Sequence, residues 1–156
     1  MLDRLIAKSP FARVVTAALA ESHRRGDRRL GTEHLLLGLL HDPSCARALG
    51  VELEQARAAL DRLDRAALAA LGIEVEGLRP AEVPVRRGKL TPGALTSNAR
   101  AVVNEAIRGV PRPRDPAELL RALLKVSRPD PAADLLAELG VDREAVRRRG
   151  DLRIRP

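Results

Sequence analysis

The chain has one cysteine, one phenylalanine, no tryptophan and no tyrosine. A lone cysteine, Cys45, excludes an internal disulfide and any cysteine-rich zinc site. Aromatic and β-branched residues, the usual occupants of strands, are scarce, which argues against a sheet. No apolar run approaches the roughly 18–20 residues that cross a membrane. The opening residues Met1-Leu2-Asp3-Arg4 lack the basic segment and long apolar stretch of a secretory signal, so the cytoplasm is the expected compartment. A G-x-x-x-x-G-K-[ST] phosphate loop is also missing, so nucleotide hydrolysis is not expected.

What is present is an alphabet for helices. Of 156 residues, 45% are hydrophobic, nearly all of them Leu, Ala and Val. That is enough for one domain with a core, or for two small half-domains packed together. Leu and Ala favour helix, so the expected class is all-α. The formal net charge is +7, from 28 basic and 21 acidic residues. Many of the arginines alternate with acids, as in Glu54, Arg57, Asp61, Arg62 and Arg65, the pattern of a solvated helix face. The dense basic cluster is Arg147-Arg148-Arg149 with Arg153 and Arg155, read as a mobile tail. The competing reading of that cluster is a nucleic-acid contact.

The helices are punctuated clearly. Ser9-Pro10 is a cap followed by a first-position proline. Phe11, Val14, Val15, Ala18 and Leu19 then form one apolar face, ending before Gly26. A second helix opens at Gly31-Thr32-Glu33-His34, with Thr32 as the expected N-cap, and Leu35 to Leu40 make it apolar nearly all round. It should be central and buried. A short helix over Ser44 to Leu49 stops at Gly50. A longer one over about Glu52 to Leu71 carries the stripe Leu53, Ala56, Leu60, Leu63 and Ala67. Residues 73–94, rich in Pro and Gly, read as a connecting segment. Then the pattern restarts: Leu95-Thr96-Ser97 precedes Ala99, Val102, Val103, Ala106 and Ile107. Asp115-Pro116-Ala117-Glu118 opens a leucine-rich helix. Asp130-Pro131 starts a short one that ends at Gly140, and a last helix runs from Val141.

The restart is an internal repeat. "ARVVTAALAES" matches "RAVVNEAIRGV", "LLLGLL" from Leu35 matches "LLRALL" from Leu119, and Leu49-Gly50-Val51 matches Leu139-Gly140-Val141. Four short helices bury little alone, so the two copies should pack as one pseudo-twofold unit. The expected division is a first repeat over about 1–72, the linker, a second repeat over about 95–150, and a basic tail from 151.

"GTEHLLLGLL", with "FARVVTAALAES" before it and "ALGVELEQARAAL" after it, is very similar to the N-terminal domain of ClpC- and ClpA-type chaperone ATPases. The resemblance covers about residues 1 to 150 and implies two tandem four-helix repeats. It implies recruitment of substrates and adaptors, so the expected partners are proteins or peptides, including a Clp ATPase or its substrates. No enzyme activity and no cofactor are implied. The Ala- and Arg-rich composition resembles that of proteins from GC-rich bacteria such as actinobacteria.

Some ClpC-type domains bind phosphorylated arginine, and the resemblance places such a pocket at Glu33, beside Thr32. A carboxylate there would hold the guanidinium while helix N–H groups receive the phosphate. The second copy aligns Ala117 with Glu33 and Pro116 with Thr32, so only the first pocket keeps its acid. The plainer reading of Glu33 is a first-turn acid at a helix start. Actinobacterial ClpC domains also bind cyclic-peptide antibiotics, and the aligned positions are Leu2 and Leu5, with Leu95, Thr96 and Arg100. The family has Phe where these leucines stand, so ring stacking is lost. The plainer reading of the leucines is core or staple packing.

Catalytic constellations are weak. His34 and His41 lie about two turns apart, too far for the i, i+4 pair of a zinc site, and His34 reads as a hydrogen-bonded structural residue. Cys45 has His41 four positions earlier, but Pro43 interrupts the helix, and a buried small-residue role is expected. The sequence thus points to a non-catalytic protein- or peptide-binding domain acting as adaptor, competitor or peptide sink, with a basic nucleic-acid-binding regulator as the alternative.

Overall fold

The structure, a computed structural model, describes residues 9–74, 92–108 and 115–151. These residues form eight α-helices, one 3-10 turn and no β-strand. Leu2, Leu5 and most of the connecting segment lie outside them, as do Arg153 and Arg155.

Helix α1 spans Pro10–Arg24. The Ser9 hydroxyl accepts from the Ala12 N–H at 3.1 Å, and Pro10 fills the first position, where no donor is needed. Phe11, Val14 and Ala18 are buried on its inner face. Helix α2, Thr32–Leu39, is buried at every position except Glu33 and packs against α1 and four helices described below. It is the central rod that its all-round apolar sequence foretells. Helix α3, Pro43–Leu49, is capped by Asp42, whose carboxylate accepts from the Cys45 N–H at 3.0 Å. Gly50 ends it at φ 67°, a left-handed turn open to glycine at little cost.

Helix α4 covers Leu53–Ala70. Ala56, Ala59 and Leu60 are buried, with Leu53 and Leu63 packed at the edge of the core. Ala67, expected in that stripe, is exposed instead. The helix outruns the elements it packs on, and Leu71 beyond it is 77% exposed. Its charged face is also not merely solvated. Arg57 reaches Glu21 of α1, and Asp61 and Asp64 both receive Arg25.

Across the unnamed interval the chain re-enters through a 3-10 turn, Pro92–Ala94, into α5, Ser97–Ile107. Thr96 caps it, accepting from the Ala99 N–H at 3.1 Å. Helix α6, Pro116–Leu123, is capped by Asp115. Asp130 caps α7, Pro131–Glu138, and Gly140 closes it at φ 68°, matching Gly50. Helix α8 is Arg143–Asp151, held to the core by Val146. The expected mobile tail is therefore partly ordered helix. Arg147 donates to the Leu124 carbonyl at 2.6 Å, and Arg143 donates to the Val126 carbonyl.

Helix pairs α1–α2 and α5–α6 pack within their own halves. Between halves, α2 meets α5, α6 and α7, α1 meets α6, α3 meets α6 and α8, and α4 meets α7. One continuous apolar core runs from Phe11 to Val146. No described helix is long and apolar enough to cross a membrane.

Candidate functional site

The entry to α2 and the entry to α5 lie side by side. Leu30 and Leu95 form an isolated parallel bridge. The Leu30 N–H donates to the Ala94 carbonyl at 2.7 Å, and the Thr96 N–H donates to the Leu30 carbonyl at 3.0 Å. Segments that sequence reasoning assigned to two different ligands are thus neighbours: Thr32 and Glu33 follow Leu30 on one side of the bridge, and Leu95 and Thr96 lie on the other. Arg100 is exposed one turn further along α5.

His34 fixes this entry. It is 1% exposed. Its Nδ1 accepts from the Gly31 N–H at 2.8 Å, so the ring proton sits on Nε2 and is directed to Asp27 Oδ2 at 2.7 Å. That hydrogen bond is the main reason the Asp27 carboxyl lies below the usual range; burial opposes it, and the Arg25 charge assists. The structural role read for His34 from sequence is what the geometry shows. The helix cap, however, is Gly31 and not Thr32: its N–H donates to the third-position histidine, and Thr32 already lies within the helix.

Glu33 folds its carboxylate back over Gly31. A Cβ on Gly31 would stand 2.3 Å from Glu33 Oε2, so a larger residue there would push the carboxylate aside. Oε2 is buried and has no hydrogen-bond partner among the described residues, while the side chain as a whole is 20% exposed. An unmet buried acceptor costs about 1–3 kcal/mol, more when charged.

Thr32 stands behind Glu33 and faces inward. It is fully buried. Its hydroxyl donates to Asp130 Oδ1 at 2.7 Å and accepts from the Ala132 N–H at 3.2 Å. Asp130 also receives Ala132 N–H at 2.9 Å and the Asn98 amide at 3.0 Å. Thr32 therefore ties α2 to α7 and, through Asp130, to α5. Leu95 is half-buried against the core, where its plainer reading placed it.

Sequence reasoning passed over Glu21. It is 2% exposed and binds the Arg57 guanidinium, His41 Nε2 at 2.9 Å and Arg24 Nε at 3.5 Å. Burial pushes its carboxyl up, but the hydrogen bonds from Arg57 and His41 and the charges of Arg57 and Arg24 outweigh burial and leave it lowered. A signal was there: positions 14, 18 and 21 continue the buried register of α1. Cys45 is buried, and burial, with Asp42 and then Asp115, pushes its thiol up to about 12. At neutral pH it is a thiol and a poor nucleophile.

In the second half, Asp115 accepts from the Ala117 N–H at 2.9 Å and Glu118 pairs with Arg121, so no acid occupies the place of Glu33. No protein-family model matches the chain, and no curated protein matches it.

Proposed function

We propose that this chain is a Clp N-domain-like protein that binds peptides or marked proteins without a catalytic step, and that Glu33 receives the guanidinium of phosphoarginine. The observation that carries the reading is the Glu33 carboxylate, held over Gly31 at the start of α2 with Oε2 buried and unmet. A planar guanidinium offers paired N–H donors to a carboxylate, and the positive end of α2 favours the attached phosphate.

The two-repeat architecture belongs to the same proposal. Exchanging α1–α4 with α5–α8 maps α2–α7 onto α3–α6, α4–α7 onto α3–α8 and α1–α6 onto α2–α5, and each of these pairs packs. The caps Asp42-Pro43 and Asp130-Pro131, and the matched Gly50 and Gly140, support it further. Recruitment of partners to a Clp ATPase, as adaptor or competitor, and binding of cyclic peptides around Leu2, Leu95, Thr96 and Arg100 follow from the resemblance and are tested separately. The nucleic-acid reading draws on Arg147-Arg148-Arg149 with Arg153 and Arg155, and of these Arg147 is engaged with the Leu124 carbonyl at the end of α6.

Calorimetric titration with free phosphoarginine tests the pocket. Saturable binding of about one equivalent, lost in Glu33→Ala, is the expected outcome. Absence of heat with the unmodified chain removes phosphoarginine as the ligand.

A further inference from the structure

Helices α1 and α2 close on each other through Gly38. A Cβ there would stand 2.5 Å from the Val14 carbonyl oxygen and 2.8 Å from Ala18 Cβ. In the repeat, Val102 takes the place of Val14 and Ala122 that of Gly38. Ala122 carries a methyl where the first copy has none. A cleft of about 410 Å³ lies between α5 and α6, within the size range of small ligand sites. Val102 and Ala122 form its floor with half-buried Val126. Glu105 and Lys125, paired at 3.0 Å, stand on its rim.

Its inner end is Asp130, 7% exposed. The donors to this carboxylate are all neutral: the Thr32 hydroxyl, the Ala132 N–H and the Asn98 amide. Arg128, the nearest cation in sequence, pairs with Asp134 at 2.8 Å instead. An apolar groove thus ends at a carboxylate with no cationic partner among the described residues. Oδ2 accepts one hydrogen bond and has capacity for another.

We propose that this groove receives a lysine or arginine side chain of a partner polypeptide. The aliphatic stem lies over Val102, Ala122 and Val126, and the cationic head reaches Asp130 Oδ2. Long basic side chains bury their stems in this way and keep the charge at a polar end. The polypeptide source rests on the binding-domain reading above; the groove itself is independent of Glu33.

The test is methyl and amide NMR on the full chain carrying Glu33→Ala, titrated with the N-acetyl methylamides of lysine, arginine and leucine. The expected result is saturable shifts at Val102 and Val126 with the lysine or arginine probe and none with the leucine probe. Asp130→Asn keeps a good helix cap and should weaken binding about tenfold. Ala122→Leu, which fills the groove, should abolish it. Equal shifts from the leucine probe, unchanged affinity in Asp130→Asn, or silence at Val102 and Val126 overturns the proposal. Because Glu33 is absent from the tested protein, phosphoarginine binding by the unmodified chain stands or falls separately.

Discussion

The α1–α2 and α5–α6 seams start from the same sequence, Val14-Val15 in one and Val102-Val103 in the other, and end differently. In the first, Gly38 admits the backbone of α1, and Glu21, Arg57 and His41 lock the far end. In the second, Ala122 lines a cleft, and the aligned sequence has Gly109 where the first has Glu21. The aligned copies thus differ by one glycine and one acid at these seams. Protein interiors are packed tightly enough that a single methyl is felt at such a contact. The closed half presents its polar chemistry at a helix start, at Glu33. The open half presents it along a groove that ends at Asp130.

The largest expected effect lies where the halves are tied together. Asp42 and Asp130 are matched caps, but Asp42 bonds within its own first turn, to Cys45, whereas Asp130 also holds Thr32 and Asn98 from other helices. Asp42→Ala should cost about 1 kcal/mol, the worth of a cap. Asp130→Ala should cost about 3 kcal/mol, because it also strands the buried Thr32 hydroxyl. Urea denaturation of the two variants checks this. Equal losses would mean that the Thr32–Asp130 bond does not join the halves.

Much of this architecture was legible, and the reason is locality. Caps, first-position prolines and closing glycines are read within a few residues, so Ser9-Pro10, Asp130-Pro131, Gly50 and Gly140 all mark real helix ends. Thr32 was misread as a cap because its partner Asp130 is 98 positions away, beyond any local pattern. Ala67 was placed in the core because periodicity shows which face points inward but not where the packing partner stops. For the candidate site, Glu33 was found through its motif. The carboxylate's return over Gly31 and the groove at Ala122 required the tertiary contacts. Even so, the Gly38-to-Ala122 change stood visible in the aligned repeats.

Exchanging those two residues sharpens the comparison at the next scale. Gly38→Ala drives a methyl against the Val14 and Ala18 backbone, which cannot move aside as a side chain can. Overpacking of about 3 kcal/mol, less about 1 kcal/mol gained in helix propensity, leaves a net loss of about 2 kcal/mol. Ala122→Gly loses only the propensity, about 1 kcal/mol. Thermal melts should rank the variants in that order. A reversed order would mean that the first seam yields easily to a methyl at position 38.

The smallest effect concerns acid. The Glu21 carboxyl is lowered in the folded chain, so its contribution is fully present above the ordinary glutamate range and is lost as pH falls through its folded value. Arg57 and His41 both reach solvent, and screening there limits the worth of the charge. Glu21→Gln should therefore cost only about 1 kcal/mol near neutrality, keeping part of the hydrogen bonding and losing the ion pairs. The difference from the unmodified chain should shrink as pH falls through the folded value, below the ordinary glutamate range, where both carry an uncharged side chain. Asp27, lowered chiefly by the His34 hydrogen bond, titrates in the same direction from the same half. In the second half Glu105 is lowered by Lys125, but that pair lies at the exposed rim. Acid should thus loosen the α1–α4 half first. Hydrogen exchange at pH 3 would show this as earlier loss of protection in α1 than in α5, and the reverse order would place the acid-sensitive contact in the open half.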